Sequence, residues 1–508
     1  MKFKQAAAIT LGACLGACAV GCGNESESSK DEWEGFAEFS TVWNAGESKT
    51  FEKGETYTLE LNADFGDKNY LKFDYSTTCY LDGVLSFKEK GGDKKYEERF
   101  FLKKDDNTFR QILDYYGEYR FDKTLDSVTL RCVGETGGEF KLNSVSAATH
   151  PIDFASADLS TPEIEENMQL YITGKECKLG MTLKSGGCIN YVSSVNSGVK
   201  LFEESDGVLS VGHSSSGKLL QEDDVNLVNA HDTGRYVQQS YYGSPGDSIA
   251  EPKDDYKCGT FRHDGINEIP WPYNPVQGGD KTNTVSQIAD VCYSSTKIYV
   301  KTRPCDWAKQ KSVTPFYMEN VYEIVEDEVY GEYIRVENRG TDFSGYSHGQ
   351  PRDQELPAFY GVAALPRLAT YKGNNAWTND AIQYENNLPF WSGATATAAN
   401  RFKASENWIA WVNEENWGIG LYVPDVVNML AGRMMVLSTE TSKVPALQNS
   451  TTYTAPVAQF IMPNYVTYSY TYYLKLDYVQ GARAFFESLH NEGTENPDLV
   501  ALVKGTLK

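Results

Sequence analysis

The sequence predicts an all-β protein of two sandwiches, a small one of about a hundred residues and a much larger one behind it, closed by a C-terminal helix. Three observations carry this. Apolar residues alternate with period two over residues 56–145, in runs bounded by Gly, Asp, Asn and Lys. The following three hundred or so residues are also rich in strand patterns, with no strand-helix alternation. One helical stripe stands out near the end, Ala482, Phe485, Phe486 and Leu489 at i, i+3, i+4 and i+7.

In chain order, Lys2 and Lys4 precede an uncharged small and apolar run that ends at Gly21-Cys22-Gly23-Asn24, the layout of a secretory signal. That run is shorter than the ~20 residues that cross a bilayer as a helix. Ala19-Val20-Gly21-Cys22 resembles the bacterial lipobox, which implies cleavage before Cys22 and acylation of that cysteine as a lipid anchor. Cys14 and Cys18 fit the same pattern and read as competing positions in a segment that is removed. The expected layout is a signal at 1–21, a polar tether at 22–32, a jelly-roll-like module at 33–150, a linker at 151–167, the large sandwich at 168–490 and a tail at 491–508. Export to the cell envelope, at the outer membrane or cell surface, is the localisation this implies.

The formal net charge is −23. Nucleic acid and anionic membrane surfaces are therefore poor partners. Cys79, Cys132, Cys177, Cys188, Cys258, Cys292 and Cys305 lie beyond the signal without a CxxC pair, so an exported protein predicts disulfides. Cys79 with Cys132 and Cys177 with Cys188 are the expected pairs, leaving one thiol over.

Within the small module, Tyr57, Leu59 and Leu61, then Leu71, Phe73 and Tyr75, then Val128, Leu130 and Cys132 mark strands. In the large region, 297–301, 317–325, 330–337 and 465–479 are strands, and 408–412 and 417–423 flank Asn413-Glu414-Glu415-Asn416 as a hairpin. So many strands must stack or curl to hide their edges. Residues 199–224, rich in Ser, Gly and acids, read as a surface insertion.

The stretches YLKFDYSTTCYLDGVLSF, SVTLRCVG and GEFKLNSV resemble the jelly-roll modules attached to secreted polysaccharide-degrading enzymes. CKLGMTLKSGGCINYVSS, NAHDTGRYVQQSYYGSP, WPYNPVQGGD, RDQELPAFY and ENWIAWVNEENWGIGLYVP resemble secreted bacterial proteins with a supersandwich like that of the galactose mutarotases. The resemblance implies a carbohydrate ligand, polysaccharide or oligosaccharide, and fixes no reaction.

Four polar islands between strands are where such a scaffold carries chemistry. His231-Asp232-Thr233-Gly234-Arg235, with Gln238 and Tyr241 behind it, offers groups that bind sugar hydroxyls, and reads equally as a structural ion pair. Trp271 to Asp280 holds two prolines and two glycines; Trp271 can stack on a sugar, Gln277 can bind it and Asp280 supplies a carboxylate, or the loop is merely rigid. His348 to Pro357 places Arg352 and Glu355 just before an apolar strand, where partial burial would raise the Glu355 pKa and suit it to general-acid work. Glu406 and Asn407 open the tryptophan hairpin. Glycoside hydrolysis needs two carboxyl groups across the scissile bond, and Glu355 with Asp280 is the expected pair, with Asp232 as substitute. His231, Arg235, Gln238, Tyr241, Trp271, Gln277, His348 and Arg352 complete the expected site.

Two rival readings stay open. A polysaccharide lyase would use the cations Arg235, Arg262, Lys301, Arg303, Arg352 or Arg367 to neutralise a uronate. A non-catalytic glycan-binding lipoprotein needs no acid/base pair and accounts for 33 Tyr and 9 Trp. No motif of a hydrolase elbow, P-loop, zinc site or EF-hand is present, so no cofactor is expected, although the many acids leave room for a structural calcium.

Overall fold

Alternation in the small module converts directly into buried and exposed faces. Thr56–Gly66 buries Leu59, Leu61, Ala63 and Phe65 and turns the residues between them outward, as a two-residue side-chain period requires. The structure, a computed structural model, describes residues 37–152, 154, 168–195, 203–205, 208–210, 226–243, 248–250, 255–257, 259–262, 268–346, 350–392, 395–396, 400–434 and 445–506. The signal with Cys22, most of the expected linker and most of the 199–224 insertion lie outside them, as do Cys258 and His348.

The small module is a jelly-roll-like sandwich. Thr56–Gly66, Lys123–Val133, Tyr80–Glu89 and Lys95–Leu102 form one sheet in that order. Ser40–Trp43, Gly138–Ala148, Tyr70–Thr77 and Thr108–Ile112 form the other, with Glu47–Phe51 also on Gly138–Ala148. Phe73, Leu85, Phe100 and Leu130 fill the space between them.

The large region is two stacked nine-stranded antiparallel sheets. One runs from Gln287–Tyr293 through Lys297–Arg303, Phe316–Asp327, Gly331–Asp342, Thr467–Tyr478, Trp417–Tyr422, Trp408–Val412 and Arg367–Thr370 to Gln383–Asn386. The other runs from Gln169–Thr173 through Cys177–Thr182, Cys188–Ser194, Val237–Gln238, Ala358–Val362, Thr451–Phe460 and Asn428–Met434 to Arg401–Lys403, with Arg352–Glu355 also on Thr451–Phe460. Leu179, Val192, Met318, Val336, Phe359 and Leu421 are among the residues buried between them.

The tryptophan hairpin forms with Val412 opposite Gly418. Asn413 Oδ1 accepts from the amides of Glu415 and Trp417, both at 3.0 Å, and Asn416 takes φ 68°, which Asn tolerates better than most residues. Gly186 and Gly187, at φ 60° and 70°, close the Cys177–Ser194 hairpin. A Cβ at Gly186 would meet the Gln277 carbonyl at 1.9 Å, so only glycine fits there.

The helix Val479–Asn491 lays Ala482, Phe485, Phe486 and Leu489 on the outer face of the first large sheet, against Trp408, Tyr422 and Tyr473. Burying a side chain such as Phe486 contributes roughly 1.5–3 kcal/mol. A second helix, Pro497–Thr506, occupies the stretch read as a tail; Pro497 starts it, where a missing N–H costs nothing, and Leu499 is buried in the large core. No helix among the described residues is long and apolar enough to cross a membrane.

The two sandwiches do not hang on a linker as separate beads. Ala289, Tyr317 and Phe343 of the large region belong to the core of the small one. Phe101 stacks on Phe343 at 5.8 Å, and Arg110 Nε meets Asp290 Oδ2 at 2.8 Å.

The disulfide expectations need correction. The six described cysteines are buried thiols. Cys177 lies opposite Ser194 and Cys188 opposite Thr182, so the two sit at opposite ends of one hairpin, about 16 Å apart at the rise of a strand, far beyond disulfide reach. Cys79 and Cys132 do meet in the small core. Burial first, and then the Cys79 thiol to which it is hydrogen-bonded, push the Cys132 thiol up to about 12.

Candidate active site

Arg352–Glu355 pairs antiparallel with Thr451–Phe460, Arg352 opposite Phe460 and Glu355 opposite Val457. The period of two turns Gln354 inward, where it is wholly buried, accepts from the Tyr242 amide at 2.8 Å and donates to the Tyr242 carbonyl at 2.8 Å. Those two hydrogen bonds bring Ser240 and Tyr242 beside Glu355. The Glu355 carboxyl accepts from the Ser240 hydroxyl at 2.9 Å and from the hydroxyls of Tyr453 and Tyr242. Tyr453 is fixed by Tyr360 and Phe390, with ring centroids at 4.8 and 4.9 Å.

Burial raises the Glu355 pKa above the ordinary carboxylate range, and the three hydroxyls oppose this only in part. Among the described residues no cation is one of its partners, and neutral donors compensate a charge poorly. The half-buried carboxyl faces a cavity of about 370 Å³ lined by Tyr242, Arg352, Asp353, Leu430 and Gln459, among others.

Asp353, which the sequence reading passed over, lines the same cavity. It is two residues before Glu355 on a regularly paired strand, so both side chains leave the same face with Cα atoms roughly 6.7 Å apart. Its Oδ2 is ion-paired with Arg401, while its buried Oδ1 has no hydrogen-bond partner among the described residues. A ligand hydroxyl or a water would fill that position. The i, i+2 spacing of the two acids was the available signal.

Asp280 is not a cleft residue. It is wholly buried; Oδ1 accepts from the Thr282 amide and hydroxyl and the Thr284 amide, and Oδ2 from the Lys311 amide, at 2.6–3.0 Å. Burial works to raise its pKa, but these donors outweigh it and hold the carboxyl below the usual range. It shares no partner with Glu355 and acts as a loop buttress. Gln277 and Gln238 are likewise structural: Gln277 Nε2 donates to Gly186 O at 3.0 Å and Asn320 Oδ1 at 2.9 Å, and Gln238 Oε1 accepts from the Gly278 amide at 2.8 Å. Tyr241 is core, stacked on Phe316 at 5.8 Å. Trp271 packs against Phe261 and Trp307 at 5.2 and 5.3 Å.

The first island stands closer to Glu355. Asp232 and Arg235 form an ion pair at 3.2 Å, and Arg235 Nη1 donates to Asn449 O at 2.7 Å. Burial raises the Tyr360 hydroxyl, and Glu355 and then Asp232 add to the effect while Arg235 opposes it. Tyr360 thus stands within the fields of both carboxylates. His231 is exposed, its Nδ1 3.0 Å from Leu447 O. Arg352 is exposed on the cavity rim. Glu406, of the fourth island, is wholly buried and gripped by Arg483, with Nε to Oε2 at 2.8 Å and Nη2 to Oε1 at 2.5 Å, which ties the helix to the sheet. Among the described residues no group of three or more His, Cys, Asp or Glu is arranged to hold a metal ion.

No protein-family model matches the chain, and no curated protein sequence does. Solved structures give partial likenesses. A family 29 carbohydrate-binding module matches with 16% identity over 22% of this chain and 93% of that one, at a TM-score of 0.16. A Salmonella typhimurium protein assigned as a mutarotase matches with 8% identity over 61% of this chain and 90% of that one, at 0.27. The 4-alpha-glucanotransferase of Thermococcus litoralis matches with 10% identity over 60% and 37%, also at 0.27. At TM-scores this low the likenesses carry no argument about activity.

Proposed function

We propose that this chain acts on carbohydrate as a glycoside hydrolase, with Glu355 as the general acid and Asp353 as the second carboxylate. One observation supports it above the rest: Glu355 is a carboxyl kept protonated to higher pH than usual, on the wall of an open polar cavity. A general acid needs both features, a proton at working pH and access to the leaving oxygen. Asp353 leaves the same strand face two residues earlier and lines the same cavity, so both carboxyls can approach one bound sugar. The Tyr242 ring, the Gln459 amide and the Arg352 guanidinium offer a stacking face and donors for hydroxyls.

The lyase reading would take Tyr242 as base with Arg352 neutralising a uronate. Burial, and after it Glu355, push the Tyr242 hydroxyl well above its ordinary range, which works against proton abstraction by that group. The test is a panel of neutral and acidic polysaccharides assayed for new reducing ends and for unsaturated uronates, with Glu355→Gln and Asp353→Asn alongside the wild type. New reducing ends lost in both variants support the assignment; undiminished hydrolysis by Glu355→Gln removes it.

The lipobox adds a location: acylation of Cys22 holds the catalytic region at the cell envelope. Detergent phase partitioning of the expressed chain should move it to the aqueous phase on Cys22→Ala. Retention in the detergent phase would point to Cys14, Cys18 or another anchor.

A further inference from the structure

The junction of the two sandwiches encloses a second cavity, of about 230 Å³. The small module contributes Tyr75, Phe101, Lys103, Asp106, Phe109 and Arg110 to its wall; the large region contributes Asp290, Tyr299, Lys301 and Glu319. Most of these charges are already matched. Lys103 is ion-paired with Glu319, whose Oε1 also accepts from Tyr299 at 2.8 Å, and Arg110 is ion-paired with Asp290, whose Oδ1 accepts from Tyr70 at 2.5 Å.

Lys301 differs from these. It is 6% exposed and lines the cavity, and its ammonium makes no hydrogen bond or ion pair with the described residues, Glu319 reaching it only through its field. Its ammonium lies over the rings of Phe109 at 4.5 Å and Tyr317 at 4.2 Å. Ring faces stabilise a cation but accept none of its three N–H groups in the way an oxygen does. Leaving a buried charged donor unsatisfied is costly, and the open side of this one is the cavity.

We propose that this junction cavity binds a small hydroxylated monocarboxylate of the hexuronate class, with Lys301 as the contact for its carboxylate. Size, charge and lining each select that chemistry. The cavity is below the ~300–1,000 Å³ of sites for drug-sized ligands, so the occupant is small. The lining cations Lys103, Arg110 and Lys301 balance the carboxylates Asp106, Asp290 and Glu319, and of these cations Lys301 alone lacks an oxygen partner among the described residues; the balance admits a monoanion at Lys301 and disfavours a dianionic phosphate. Phe101 and Tyr75 supply ring faces, and the carboxylates supply acceptors for hydroxyls.

Burial pulls the Lys301 pKa down to about 8; Glu319, Asp290 and Asp106 oppose this and Lys103 adds to it. Arg110 and the hydroxyls of Tyr75, Tyr299 and Tyr317 complete the titratable groups around it. The amine is charged below that pH, so carboxylate binding is present there and fades as pH rises through about 8.

The test is calorimetric titration of the full chain with glucuronate, glucose and a short glucuronate oligomer. Glucuronate is expected to bind at pH 7 and weaken at pH 9, glucose is expected not to bind, and Lys301→Met should lower glucuronate affinity roughly tenfold or more. Glu355→Gln should leave it unchanged, which separates this site from the hydrolase reading. The oligomer binding too would name a chain end as the source, and the free acid alone a released monomer; either supports the site. If Lys301→Met does not fold, reductive methylation of the wild type with peptide mapping replaces it, glucuronate protecting Lys301. No glucuronate binding, equal binding by Lys301→Met, loss in Glu355→Gln, or no protection of Lys301 would overturn the proposal.

Discussion

Glu355 and Glu319 are two glutamates drawn out of bulk water on strands of the same region, and their surroundings push them in opposite directions. Among the described residues Glu355 is met by three hydroxyls and no cation, and burial prevails: its pKa rises. Glu319 is buried as well, but Lys103 and Lys301 outweigh the desolvation and hold it down at about 2. Burial alone therefore does not make an acid. The charge of the donors decides whether a buried carboxyl stores a proton or anchors an ion pair. The first arrangement suits a reactive group, the second suits the seam between two modules.

The comparison predicts opposite behaviour for the same substitution. Glu355→Gln should lower kcat on the responsive polysaccharide by about 100- to 10,000-fold, with stability in urea unchanged or raised at pH 7, because a carboxyl whose pKa is raised costs stability when it ionises. Glu319→Gln should do the reverse, costing about 3 kcal/mol by removing the ion-pair partner of Lys103 at the module junction while leaving the Glu355 cavity intact. Equal stability losses in both variants would erase the distinction.

Acid titration sharpens it next. The Glu319 carboxyl is held at about 2 against its ordinary 4.5, so its contribution is present above about 4.5 and is lost as pH falls toward 2. The Glu355 contribution is full below 4.5 and is lost as pH rises through its raised pKa. Urea midpoints between pH 2.5 and 4.5 should therefore fall less steeply toward acid in Glu319→Gln than in wild type, whereas Glu355→Gln should follow wild type there and gain on it as pH rises above 4.5.

Much of this contrast was visible before any coordinates, and what was hidden was hidden for a reason. Period-two burial in Thr56–Gly66, the Asn413 hairpin and the stripe of Val479–Asn491 follow from local spacing, which a sequence displays. Glu355 was found by its place at the start of an apolar strand. Its donors were not, because Ser240 and Tyr453 stand 115 and 98 residues away and are gathered only by sheet order. Asp280 misled for the opposite reason: an Asp followed by Lys-Thr-Asn-Thr is an ordinary former of Asx-turns, and its carboxylate is spent on the amides of its own loop. Glu319 drew no notice, since Lys103 lies 216 residues before it across a module boundary.

The smallest expected effect concerns the rim of the Glu355 cavity. The Arg401–Asp353 pair is partly exposed, the two side chains at 44% and 30%, so Arg401→Ala should change stability by less than about 1 kcal/mol. Its chemical effect runs through charge. Without the guanidinium, the Asp353 carboxylate stands unneutralised on the same strand face as Glu355, and a like charge nearby makes Glu355 hold its proton more firmly. The alkaline limb of the pH-rate profile, set by loss of that proton, should move to higher pH in Arg401→Ala. An alkaline limb that stays put would mean that Asp353 does not feel Glu355, and that the second carboxylate of the pair lies elsewhere.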